Sequence, residues 1–138
     1  MVSVKVSEQI EASAEQVWEL FRDFGGIQRF SPQIENVTVA GQGIGAVRTL
    51  RLPGGAALEE RLEAFDDAGR RLSYAIVGGP IPVANYLATI EVHDDGKGCR
   101  IDWSSHFEPK GMSDEQARGM IEGVYRGGIA GVKKALGV

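Results

Sequence analysis

The side chains in this chain best suited to chemistry are an arginine and a glutamate that a hairpin should bring face to face. The segment Arg48-Thr-Leu-Arg-Leu-Pro-Gly-Gly-Ala-Ala-Leu-Glu59-Glu60 reads as two strands joined at Pro53-Gly54-Gly55. Pro and Gly supply the φ values that such a turn needs. Pairing Leu52 with Ala56 and Leu50 with Leu58 sets Arg48 opposite Glu60, and strand alternation puts all six on one face. Two leucine pairs mark that face as the buried one. A charged pair among them costs desolvation, so it either meets a polar ligand or serves as a structural ion pair; a register slip would instead carry it to the surface. Carrying the same parity into the next strands adds Leu62, Tyr74, Ile76, Tyr86, Ala88 and Ile90 to the inner face. The result is an apolar wall with two phenols and one ion pair, the usual character of a small-molecule site, or else a plain core whose tyrosine hydroxyls reach the surface.

The last strand leaves two options open. Ile101, Trp103 and Phe107 share one parity, while Asp102, Ser104 and His106 share the other. A four-residue turn after the preceding strand points the first set inward, and a five-residue turn the second. With His106 inside, its near-neutral titration would make it a candidate general acid or base. His93 falls on the outer parity. No nucleophile or metal spacing stands out. The glycine-rich piece Gly41-Gln-Gly43-Ile-Gly45 precedes a strand and not a helix, so it does not read as a phosphate loop.

The elements that must position these residues are legible from period and caps. Val2, Val4 and Val6 alternate with polar residues in an opening strand that runs to about Ile10. Ser13-Ala-Glu-Gln16 is a capping box, predicting a helix that carries Val17, Trp18, Leu20, Phe21 and Phe24 and ends at Gly25-Gly26. A short second helical turn is expected before Pro32. Strands follow at about 36–41, 45–52, 57–66, 70–78, 84–94 and 99–108, separated by Gly- and Pro-rich turns. Ser113-Asp-Glu-Gln116 opens the longest helix, to about Leu136. Ala117, Ile121, Val124, Tyr125, Val132, Ala135 and Leu136 form its apolar face, with Met120 on the edge. Gly119, Gly123, Gly127 and Gly131 recur along one flank. Each costs a helix about 1 kcal/mol relative to alanine, so close backbone approach, room for a ligand or a helix–helix contact is expected there. Helices set against an antiparallel sheet define an α+β fold, with residues 1–138 as one domain.

Composition narrows the partners. The chain has 43% apolar and 25% charged residues and a formal net charge of −4 with no block of like charge, which disfavours nucleic acid or an anionic membrane. Cys99 is the lone cysteine, no apolar run is long enough for a membrane span, and no signal-peptide core is evident. A cytoplasmic protein, monomer or homodimer, with no metal and no cofactor is the expectation.

The ordered set Ile10-Glu-Ala-Ser-Ala-Glu-Gln-Val17-Trp18, Phe24, Phe30-Ser-Pro32, Gly45-Ala-Val-Arg48, Leu58-Glu-Glu60-Arg-Leu62 and Trp103 resembles the START-like (SRPBCC, helix-grip) superfamily. This group contains pollen-allergen-type, polyketide-cyclase-like and lipid-transfer-like proteins. The resemblance implies a curved seven-stranded antiparallel sheet gripping a long C-terminal helix, with two short helices near the N-terminus and a hydrophobic cavity between sheet and helix. From Leu52-Pro-Gly-Gly55 through Glu60-Arg-Leu-Glu-Ala-Phe-Asp-Asp67 and Ile76-Val-Gly-Gly79 to Asn85-Tyr86 and about His93, the chain is similar to the plant abscisic acid receptors. That similarity implies a gate loop at Leu52–Ala57, a latch loop at Pro80–Val83, a ligand-facing Glu60 and a pocket-lining Tyr86. The latch here reads Ile81-Pro82-Val83 where those receptors have His-Arg-Leu. No lysine lies between Lys5 and Lys97 to match their ligand anchor, which argues against abscisic acid itself and against the receptors' phosphatase partner.

The expected ligand-binding set is therefore Arg48, Leu50, Leu58, Glu60, Leu62, Tyr74, Ile76, Tyr86, Ala88, Met120 and Val124. The expected ligand is a hydrophobic small molecule such as a polyketide, isoprenoid, sterol-like compound or lipid, held by a carrier or sensor. The alternative is an aromatase/cyclase-like or dehydratase-like enzyme using general acid/base catalysis on a polyketide-type substrate. A third reading makes the glycine flank and the gate loops a surface for a protein partner.

Overall fold

A computed structural model describes residues 1–138. The opening alternation forms strand β1, Val2–Ile10, and Ser13 caps helix α1, Ala14–Arg22, through a complete capping box with Gln16. A 3₁₀ turn spans Ile27–Arg29. Strands β2 to β7 are Asn36–Ala40, Val47–Arg51, Ala57–Asp66, Arg71–Gly78, Val83–Asp95 and Gly98–Pro109. Helix α2, Asp114–Leu136, starts at a second capping box and ends at Gly137, whose left-handed φ of 73° suits a residue without a side chain.

Consecutive strands from β2 to β7 pair antiparallel, and β1 joins beside β7. The result is one seven-stranded sheet in the order β1-β7-β6-β5-β4-β3-β2. β4 carries irregularities at Glu59/Glu60 and Leu62/Ala64, and β6 one between Ala84 and Leu87. Bulges of this kind bend a strand and tighten its twist, which helps the sheet to curl around α2. Asn85 takes up the β6 irregularity at a φ of 54°, a region that asparagine tolerates better than most residues. Beyond it Tyr86, Ala88, Ile90 and Val92 all point inward and are buried.

The apolar face of α2 packs on β1 and β7 through Ala117, Ile121, Tyr125, Ile129 and Val132. Ile129 belongs to this face although the expected set omitted it. Val124 and Ala135 do not, and both are exposed. One step along a helix turns about 100°, so Val124 stands away from the buried line through Tyr125. Helix α1 also ends earlier than its sequence suggests, at Arg22 with Asp23 already extended. Phe24 therefore lies beyond the helix, and its carbonyl is free to bond elsewhere.

Candidate functional site

Between the concave sheet and α2 lies a cavity of about 340 Å³. The hairpin register is the one that the turn demanded: Arg48 pairs with Glu60 and Leu50 with Leu58, and Leu52 N–H donates to the Ala56 carbonyl. Arg48, Leu50, Leu58, Glu60, Tyr74, Ile76 and Tyr86 all line the cavity, and Val124 stands at its rim. Leu62, Ala88 and Met120 do not line it. Leu62 lies one pair further along β4 and faces a separate recess with Phe24 and Phe65. Ala88 is sealed at 0% exposure beneath its neighbours. Met120 packs against the core from the side of α2.

The cavity also takes residues that strand parity could not reveal. Ile27, Phe30, Ser31, Gln33 and Ile34 come from the segment after α1, and Leu52 and Ile81 come from the two loops at the open end. That segment has no hydrophobic period of its own. Only the Phe30-Ser-Pro32 pattern marked it. Trp103 completes the wall, and the four-residue turn that joins β6 and β7 pairs it with Ile90. Trp103 and Phe107 therefore point inward. His106 lies exposed on the outer face, in a shallow surface groove with Ser3, Lys5 and Thr89.

The ion pair is buried, with Arg48 and Glu60 each 6% exposed. Arg48 Nε and Nη2 both lie 2.8 Å from Glu60 Oε1, and Nη1 donates to the Phe24 carbonyl at 3.0 Å. The guanidinium also lies over the Phe24 ring at 4.1 Å and near the Tyr74 ring at 5.2 Å. Such cation–π contacts strengthen when desolvated. Phe24 thus holds Arg48 twice, by ring face and by carbonyl, because α1 stopped before reaching it.

Three phenols neighbour this pair: Tyr74 and Tyr86 line the cavity, and Tyr125 reaches Tyr86 from α2. Trp103 Nε1–H donates to the Tyr74 hydroxyl at 3.2 Å, and the Tyr86 and Tyr125 hydroxyls hydrogen-bond to each other. Tyr125 stacks on Trp103 with ring centroids 4.8 Å apart. Burial pushes the Tyr74 and Tyr86 hydroxyls well above the ordinary phenol value, and it pushes Tyr125 up to about 12. All three remain neutral hydrogen-bonding groups near physiological pH.

The glycines of α2 divide by task. Gly131 packs on the Phe30 carbonyl with no room for a Cβ, and Gly128 lies against the Trp103 ring. Gly123 and Gly127 line the cavity mouth beside Val124, with open space where a side chain would be. Gly79, just past β5, lies so close to Ala57 and Leu58 at the start of β4 that a Cβ would not fit.

A curled antiparallel sheet holding one long helix, with a loop-rimmed apolar cavity between them, defines a helix-grip protein. The chain belongs to the polyketide cyclase/dehydrase and lipid transport family, whose pattern matches residues 1–137. The abscisic acid receptor PYL10 of Arabidopsis thaliana is 35% identical over 129 residues, covering 86% of this chain and 70% of the receptor. PYL2 of the same plant is 29% identical over 133 residues, covering 88% and 70%. The structure of the protein XoxI from Bacillus cereus superposes with a TM-score of 0.90 at 35% identity, covering 98% of this chain and 95% of that one.

Proposed function

We propose that this protein binds one hydrophobic small molecule, of polyketide, isoprenoid, sterol-like or lipid type, in the cavity between sheet and α2, as a cytoplasmic carrier or sensor. The observation that carries the reading is the cavity itself. It holds about 340 Å³, it is walled mainly by Leu, Ile, Phe and Trp, and a few polar groups converge at one end. Pockets of this size and character are where small ligands bind. Kinship with proteins named as hormone receptors supports a binding role, and the loops at Leu52 and Ile81 serve as the movable rim through which a ligand enters. In the enzyme reading, Glu60 and the phenols would have to move protons. Burial keeps Tyr74, Tyr86 and Tyr125 protonated, which suits them to donate hydrogen bonds and not to act as bases. Glu60 is engaged by Arg48, and His106 lies outside the cavity. Binding therefore accounts for the arrangement better than acid/base catalysis.

Native mass spectrometry of freshly purified protein, followed by extraction, tests this reading. The expected result is an apolar companion that Gly127→Trp, at the mouth, no longer retains. A companion retained equally by that variant, or a hydrophobic panel that never binds, would overturn it.

A further inference from the structure

We infer that the cavity selects an uncharged ligand bearing a hydrogen-bond donor, and that Glu60 receives that donor while excluding carboxylates and other anions. The inference rests on the cavity-binding reading and narrows it to a ligand class. Arg48 is the only cation lining the cavity, and its charge is already committed. Two of its nitrogens approach Glu60 Oε1, a third donates to the Phe24 carbonyl, and its flat face lies against Phe24. An incoming anion would have to displace Glu60 from this contact without any other positive group to meet it.

Glu60 is in the opposite situation. Both close contacts from Arg48 fall on Oε1, and no protein donor meets Oε2. Oε2 keeps some surface open within a residue only 6% exposed overall, so a donor that reaches it comes from the cavity side. A ligand hydroxyl or N–H supplies one. Tyr74 can answer from the neighbouring wall, because its oxygen accepts from Trp103 while its own hydrogen remains free to donate. The two groups match a hydroxyl, which both donates and accepts. A ligand carboxylate would instead set its charge against Glu60 Oε2 in a medium that screens poorly, which is discrimination by repulsion as well as by fit.

A matched pair of fluorescent probes tests this with the whole chain. Phenylnaphthylamine and its sulfonated counterpart, anilinonaphthalene sulfonate, share one scaffold and one N–H and differ by a sulfonate, which adds a negative charge and some bulk. The Glu60→Gln comparison separates the two. Titrations at neutral pH should show the neutral amine binding at least about tenfold tighter. Only sulfonate signal that excess amine displaces counts as cavity binding. Glu60→Gln should shrink or reverse the preference, because it removes the repelling charge and frees Arg48. If that variant does not fold, the wild-type ratio decides alone. Equal or tighter cavity binding of the sulfonate to wild-type protein overturns the inference while leaving the cavity reading intact. Failure of both probes to bind overturns the cavity reading, and the inference with it.

Discussion

At the scale of single residues, the organising fact is that Arg48 with Glu60 and Tyr86 with Tyr125 form buried polar pairs in an otherwise apolar surround, while Ser105 Oγ is buried without a partner. Removing one member of a buried ion pair leaves the other charge unmatched, which costs about 3–5 kcal/mol, whereas replacing both with apolar residues is often close to neutral. Arg48→Met alone should therefore destabilise the protein far more than Arg48→Met with Glu60→Met, and urea denaturation of the three proteins measures the difference. The phenols repeat this logic at lower stakes. Tyr86→Phe strands the Tyr125 hydroxyl and should cost about 1–3 kcal/mol, while Tyr86→Phe with Tyr125→Phe should cost less than the sum of the two single changes. Additive single effects in such a double-mutant cycle would show that the hydroxyl contact contributes nothing.

At the scale of elements, α2 shows why a regular glycine pattern has no single explanation. Gly131 sits on the Phe30 carbonyl, whereas a side chain at Gly119 would meet nothing within 4 Å. Gly119→Ala should raise the melting temperature, since alanine favours a helix interior by about 1 kcal/mol over glycine. Gly131→Ala should lower it despite the same propensity gain, because the new methyl collides with backbone that has nowhere to retreat. Thermal melts followed by circular dichroism will separate the two, and a stabilised Gly131→Ala protein would mean that the segment around Phe30 yields easily. A second joint fastens α1 to the β4–β5 turn. Trp18 Nε1–H donates to Asp67 Oδ1 at 2.8 Å, and Arg22 reaches both carboxylate oxygens of Asp67.

At the scale of the whole molecule, these shifted groups bound the pH range of stability. The Trp18 and Arg22 hydrogen bonds hold the Asp67 carboxyl below its usual 3.8. Burial works against Asp102, but its bonds to Ser7 and Arg100 outweigh that and hold it low as well. For both carboxyls the unfolded chain takes up the proton first. Their contribution is complete above the unfolded value and is lost as pH falls below 3.8 toward the folded values. The buried phenols act at the other end. The unfolded chain releases their protons from about pH 10 while the folded one retains them, so stability falls as pH rises through 10 toward 12. Urea midpoints across pH should show a plateau between these limbs. Asp67→Asn combined with Asp102→Asn should lower the plateau and flatten the acid limb.

Local rules were enough to determine much of this protein from its sequence. Both capping boxes, the opening strand and the register of the Arg48–Glu60 hairpin follow from residue period and turn chemistry, which act over a few positions. The family pattern extended those elements to a helix-grip fold. The tertiary structure alone decided what depends on distant segments meeting. It set Trp103 inward and His106 outward through the length of one turn, and it left Leu62, Ala88 and Met120 off the cavity that their strand or helix parity had suggested. It also brought the stretch from Ile27 to Ile34 to the cavity wall and gave Phe24 its double hold on Arg48. Parity tells which face a side chain takes, but a cavity is the space that packed elements fail to fill. That space is set by the curvature of the sheet and the seating of α2, which no short window of sequence encodes.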